Sequence, residues 1–315
     1  MEKRSIKILV LGLVTSLLLG AGVGAGVYFY TENISDVSPQ VTLEEKGEMD
    51  GYDYEKFWIQ NPTSGANLLA TIRFPKLETG EKAPFILFVP GGTAPGNDLD
   101  QDPMGVQLLE KGYGVAYFDS DGRGQSEGEE NYNGTLGQDG MHAVLVYLTS
   151  REEVDAERIG IVSFSYGITL ASGMLARYAD DPKVAFYIDW EGPSAREYTN
   201  MGCRSKENDT EGIAWKNCDD NEWWLEREAV DFLDKITVPY LRIQSEVDHV
   251  QKSNEHAITA INAATNGVSP WTRVNGSENP INTTYTMGNP PQWLPDRSGK
   301  SHVVEYVEEM AGMFF

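Results

Sequence analysis

Ser165 lies in Ser163-Phe164-Ser165-Tyr166-Gly167, between the apolar run RIGIVS (158–163) and a stretch with helical spacing (166–178). The pattern is S-x-S-x-G, close to the G-x-S-x-G of a strained strand-to-helix turn that holds a serine oxygen out toward a substrate. Such a turn needs small residues two before and two after the serine, because backbone passes close to backbone; Ser163 is small enough, with some crowding. The helix start would set the Tyr166 N–H where an oxyanion forms. The plain alternative for this serine is a buried helix N-cap.

A serine hydroxyl is a weak nucleophile and needs a base oriented by an acid. The chain has four histidines. His142 precedes the serine on a helix, His249 is adjacent to the best acid, and His256 sits within a helix. His302 follows the final strand and a long loop and opens the last helix, so it is the expected base. Asp248, four residues past the strand VPYLRIQ (238–244), is the expected acid, because a loop leaving the carboxyl end of a central strand can reach His302. Asp189 and Glu191 are the runners-up, and Glu246 reads as a surface carboxylate. For the second oxyanion donor, the loop Pro90-Gly91-Gly92-Thr93 after PFILFVP (84–90) offers Gly92, with Gly91 or Thr93 as alternatives.

The elements that must position these residues alternate. YEKFWIQ and ANLLATIRFP read as a hairpin around Asn61-Pro62-Thr63-Ser64-Gly65. The strands PFILFVP, GVAYFD (114–119), RIGIVS, VAFYID (184–189), VPYLRIQ and WTRVN (271–275) then alternate with helical stretches at 104–112, 138–150, 166–178, 253–265 and from Ser301 onward. That alternation predicts an α/β fold with a mostly parallel sheet and helices on both faces. Two irregular stretches interrupt it: 192–232, read as a cap insertion rich in Trp, and the Pro-rich 276–300.

With 48 acidic against 25 basic side chains the formal charge is −23, which excludes nucleic-acid binding. Residues 8–31 carry no charge and follow Lys3, Arg4 and Lys7. As a helix they would reach roughly 36 Å, enough to span a bilayer, with the basic side in the cytoplasm. The expectation is an N-terminal transmembrane anchor over 1–31, a polar linker over 32–50 and an exported domain over 51–315; a cleaved secretory signal is the competing reading. Export would oxidise Cys203 and Cys218 to a disulfide worth about 3 kcal/mol. N-x-S/T sequons stand at Asn33, Asn133, Asn208, Asn275 and Asn282. No cofactor or metal is expected. Gly20, Gly22 and Ala25 match a dinucleotide fingerprint only by accident, lacking a preceding strand. Asp98, Asp100 and Asp102 lack the glycine and glutamate of a calcium loop and read as solvated.

Together, VPGG after one strand, FDSDGRGQSEG (118–128) after the next, QDG (138–140) opening a helix, RIGIVSFSYG at the turn, a late Asp and a final His resemble the α/β-hydrolase superfamily over about 52–315. In order and spacing the chain most resembles the dienelactone-hydrolase and prolyl-peptidase branches. It departs from them in Ser163, which replaces the first elbow glycine, and in lacking a tyrosine in the oxyanion loop. The resemblance implies a serine hydrolase acting on a small-molecule ester or short peptide, with a carboxylic ester expected first. A small exopeptidase or amidase is the alternative, and a non-catalytic surface-binding module on the same fold is the reading from outside enzymology. The membrane is the one further partner expected, through the N-terminal helix, and oligomeric state is left open.

Overall fold

The computed structural model describes residues 39–179, 181–198, 216–277 and 284–315. The chain divides into two units, Met1–Val37 and Ser38–Phe315. The expected anchor lies in the first and falls outside the described residues; Cys203 and the sequons at Asn33, Asn208 and Asn282 also fall outside the described residues. Among the described residues no helix is long and apolar enough to cross a membrane.

Among the described residues nine strands form one sheet: β1 (Val41–Met49), β2 (Tyr52–Gln60), β3 (Asn67–Arg73), β4 (Ala83–Val89), β5 (Gly114–Phe118), β6 (Val154–Phe164), β7 (Phe186–Trp190), β8 (Tyr240–Ile243) and β9 (Thr272–Val274). Their order is β1-β2-β3-β5-β4-β6-β7-β8-β9. The pairs from β1 to β5 are antiparallel, and those from β5 through β4 to β9 are parallel. The hairpin and the parallel run agree with the sequence reading.

The linker expected over 32–50 does not run its full length as a linker, because β1 occupies its second half. VTLEEKGEM hides its strand character by being charged at four of its nine residues, and an edge strand tolerates that composition well. Cross-strand polar pairs hold it: Trp58 Nε1 donates to Glu44 at 2.7 Å, the Tyr54 hydroxyl donates to Glu45 at 2.7 Å, and Lys46 pairs with Glu55.

Each parallel strand feeds both faces, as a period of two requires. In β4, Phe85, Leu87 and Val89 pack on one side with α2 (Thr135–Thr149), α3 (Gly167–Arg177) and α6 (Glu255–Asn266). Ile86 and Phe88 pack on the other with α1 (Pro103–Glu110) and α7 (Val303–Phe314). The described part of the 192–232 insertion contains the short helices α4 (Asn221–Leu225) and α5 (Val230–Leu233). It is anchored by Trp224, which is fully buried and donates its indole N–H to Asn217 O at 3.0 Å.

The aspartates at 98–102 do more than face solvent. Asp100 accepts the Tyr117 hydroxyl, while Asp102 caps α1 through Met104 N–H at 3.1 Å and pairs with Lys300 at 2.8 Å. Asn133 and Asn275 are buried, their amides engaged with Tyr166 O at 2.8 Å and Gln292 O at 2.7 Å. Neither can take a glycan in the folded protein.

The chain leaves β4 toward β5 on one side and returns to β6 on the other. Loops leaving the carboxyl ends of β4 and β6 therefore meet at the point where the winding reverses, the usual place for a ligand site in an open α/β sheet.

Candidate active site

Ser165 occupies the turn between β6 and α3 at φ +49, a left-handed conformation that costs a non-glycine residue of order 1–3 kcal/mol. The turn is held from three directions. Ser165 N–H donates to Trp190 O at 2.8 Å, Ile168 N–H to Ser165 O at 3.0 Å, and Asn133 Nδ2 to Tyr166 O at 2.8 Å. Asn133 is itself fixed by Arg123 at 2.8 Å, and Arg123 is clamped by Glu130. Two glycines let the loop after β4 lie on the turn. A Cβ on Gly167 would come within 2.6 Å of Pro90 O, and one on Gly91 within 2.9 Å of Ser165 Cβ. Ser163 causes no crowding: its hydroxyl is fully buried and lies 2.7 Å from the Tyr187 hydroxyl, a polar contact no glycine could make.

The stretch after β5 braces this region. Asp119 accepts Gly96 N–H at 2.6 Å and Gln125 N–H at 2.8 Å, and Ser126 Oγ bridges Asp119 O and Leu69 N–H.

The group beside the serine is not the expected one. Ser165 Oγ is 2.9 Å from Nε2 of His249, and Nδ1 of His249 is 2.9 Å from Glu191 Oε2. A carboxylate only accepts, so this pairing puts the imidazole proton on Nδ1 and leaves the Nε2 lone pair facing the serine hydroxyl. Glu191 directly follows β7 at φ +50 and also accepts Ser245 N–H at 2.9 Å and His249 N–H at 3.0 Å. Burial pushes its carboxyl up, but the hydrogen bonds from His249 and Ser245 outweigh it and hold the group below the usual range. The Trp190 ring packs against the imidazole with centroids 4.5 Å apart.

Two expectations are therefore corrected. His302, at the start of α7, turns its Nδ1 to Glu305 at 2.8 Å, and the hydrogen bond to Ser165 that was expected of it is made by His249. Asp248 is buried on the expected loop but stands behind Glu191, with Oδ1 3.4 Å from His249 Nδ1 and Oδ2 3.2 Å from His256 Nε2. The runner-up Glu191 holds the closer position. The other runner-up, Asp189, points into the core, where Arg242 holds it at 2.6 Å; burial pushes its carboxyl up to about 6 against the pull of that arginine. Glu246 is exposed, as expected, and His142 bonds Asp181 O at 2.8 Å while stacking on Tyr178.

In sequence His249 is marked only as the neighbour of Asp248, and nothing there shows its reach to Ser165. Sheet order supplies the missing signal. β7 lies between β6 and β8, so a side chain from the loop after β8 reaches Ser165 directly across the end of β7.

Tyr166 opens α3, where the first N–H groups have no acceptor within the helix. Gly92 lies at φ +58 in the loop after β4, beside a turn closed by Ala94 N–H to Gly91 O at 3.0 Å. Next to the serine a cleft of about 150 Å³ has apolar walls from Pro90, Ala94, Leu99, Phe164 and Trp190, with the Lys300–Asp102 ion pair among its lining. Among the described residues, Glu191, Asp248 and His249 form a group whose possible metal-ligating atoms gather within 4.8 Å. An ion bound there would have to displace the proton that fixes the His249 tautomer.

Residues 64–198 match the family model of X-Pro dipeptidyl-peptidase, S15 family. An acetyl xylan esterase from a Thermoanaerobacterium species superposes with a TM-score of 0.62 at 15% identity, covering 89% of this chain and 90% of its own. An S-formylglutathione hydrolase from Agrobacterium tumefaciens gives 0.61 at 11%, covering 87% and 99%. Dipeptidyl peptidase 4 from Porphyromonas gingivalis gives 0.61 at 15%, covering 88% of this chain but 35% of that one. No curated protein sequence matches this chain. The sheet order, the turn between β6 and α3 and these likenesses agree: the chain has an α/β-hydrolase fold.

Proposed function

We propose that this chain is a serine hydrolase that cleaves a carboxylic ester through an acyl-enzyme. The observation that carries the reading is the 2.9 Å contact between the strained Ser165 hydroxyl and an imidazole whose far nitrogen is bound to a carboxylate. Ser165 Oγ attacks the carbonyl carbon while His249 Nε2 takes its proton. The N–H groups of Tyr166 and Gly92 bind the oxyanion, and Glu191 keeps the imidazole in its tautomer and steadies the imidazolium. Collapse of the tetrahedral adduct breaks the bond to the leaving alcohol, which takes the proton from His249. Water then attacks the acyl-enzyme by the same route, releasing the acid and restoring Ser165. A short acyl group would fit the cleft of about 150 Å³ lined in part by Gly91, Phe164 and Trp190.

The family match over residues 64–198 favours a second reading, a small exopeptidase or amidase with the same residues. A comparison of p-nitrophenyl esters with aminoacyl anilides separates the two: the ester reading expects short acyl esters to turn over faster. Under either, a fluorophosphonate probe should label the protein at Ser165. A well-folded protein that stays unlabelled and turns over neither class would instead be a binding module.

Export remains part of this reading: residues 1–31 would anchor the domain outside the cytoplasm, or be cleaved to release it. Cys218 carries no free thiol, in keeping with a disulfide to Cys203, the other cysteine of the chain. A thiol count on unreduced, denatured protein should then find none; two thiols per chain would remove the disulfide from the proposal.

A further inference from the structure

His249 faces two carboxylates. Glu191 Oε2 lies 2.9 Å and Asp248 Oδ1 3.4 Å from the same Nδ1. The single Nδ1 proton is directed by the shorter contact, since 3.4 Å exceeds the ordinary range of an N–H···O bond. Charge attraction is less selective. It falls only as the first power of distance, so an imidazolium formed during turnover would feel Asp248 nearly as strongly as Glu191.

Asp248 is held in place by an unusual set of donors. Oδ1 accepts Val250 N–H and Gln251 N–H, both at 2.7 Å, and Oδ2 accepts Gln244 Nε2 at 3.0 Å. His256, fully buried, brings Nε2 to 3.2 Å from Oδ2. Its Nδ1 lies 3.1 Å from Gly192 O and 3.2 Å from Arg242 Nη2, and among the described residues Nε2, although close to Asp248, has no hydrogen-bond partner. Arg242 is equally constrained, by Asp189 at 2.6 Å, Gln244 at 2.7 Å and Gly192 O at 2.9 Å. Burial pushes the Asp248 carboxyl up, yet the nearby His256 ring and the hydrogen bonds from Gln244 and Gln251 hold it well below the usual carboxylate range. Bracing the loop would require neither the charge nor the approach to His249.

We propose that Asp248, held by Gln244 and by the N–H groups of Val250 and Gln251, is a second positioning acid for His249, sharing with Glu191 the stabilisation of the imidazolium that forms as Ser165 attacks. This rests on the serine-hydrolase reading. If it holds, neither acid is indispensable alone, and the pair is.

The test uses the full-length chain and the p-nitrophenyl ester that the wild type hydrolyses fastest. Loss of a sole acid in such a triad costs about 10⁴-fold in kcat. Glu191→Gln should instead lose about 10- to 100-fold with KM little changed, and adding Asp248→Asn should bring the rate down to that of Ser165→Ala, more than the two single losses predict together. The pH profile separates charge from bracing. The groups facing the imidazole are Glu191, Asp248, the Ser165 hydroxyl and the Trp190 ring. Removing one of the two anions in Asp248→Asn should therefore move the acid limb of kcat/KM to lower pH, whereas loss of a mere loop brace would leave it in place. The proposal is overturned if Glu191→Gln alone falls to the Ser165→Ala rate, or if Asp248→Asn leaves the limb unmoved. Should Asp248→Asn fail to fold, the Glu191→Gln rate decides the question. A wild type without Ser165-dependent turnover would sink the hydrolase reading itself, an outcome distinct from either of these.

Discussion

His249→Ala is expected to lower kcat/KM by about 10⁴- to 10⁶-fold, the range found when the base of a serine triad is removed, while His302→Ala changes it by less than about threefold. The contrast follows from two contacts. The His249 ring bridges Ser165 Oγ and Glu191, each at 2.9 Å, so its loss leaves the hydroxyl without a proton acceptor. The His302 ring bonds Glu305 on its own helix, an exposed pair three residues apart, and such pairs are worth a few tenths of a kcal/mol. Steady-state kinetics of the two variants, with circular dichroism to show both folded, check the prediction. The opposite ranking would mean that the segment before α7 moves to bring His302 to the serine, and the assignment of the base would have to be exchanged.

Ser165→Ala and Ser165→Gly are both expected to abolish fluorophosphonate labelling and to lower kcat by about 10⁴-fold or more, leaving only what binding and the oxyanion donors supply. Their stabilities should differ in an informative direction. Elsewhere in a chain glycine is the less stable of the two, because it loses more freedom on folding. At φ +49 the order reverses, since the Cβ is strained in the left-handed region. Ser165→Gly should be more stable than Ser165→Ala by about 1 kcal/mol in chemical denaturation, with both lacking the same hydrogen bond to His249. Equal stabilities would show that the turn relaxes once the hydroxyl is gone, and that the strain belongs to the serine rather than to the backbone path.

Much of this was legible before any coordinates. The parallel strands announced themselves because strands buried on both faces must be apolar throughout, as in PFILFVP and RIGIVS, and the serine stood where such a strand meets a helix. The edge strand β1 was invisible for the complementary reason: with solvent along most of its length, nothing forces apolar residues into VTLEEKGEM, and its partners are polar groups of β2. The base was misjudged because reach was estimated along the chain. Position +1 after β7 and the loop after β8 are far apart in sequence from Ser165, yet they adjoin it across the sheet. Asp248 and Glu191 have the same chemistry in sequence. Only the neighbours separate them, with Gln244 and the N–H groups of Val250 and Gln251 holding Asp248 slightly back while Glu191 stands forward.

Ser165, Glu191 and His249 come from the loops after β6, β7 and β8, three strands side by side. Among the described residues, the segment downstream of β9 supplies no group to that relay, but it props it: Leu294 O and Asp296 O accept the N–H groups of Glu246 and Val247 on the loop that carries His249, and Gly299 packs against Glu191. A change of length there would be felt as misalignment of the base, not as loss of a reacting group.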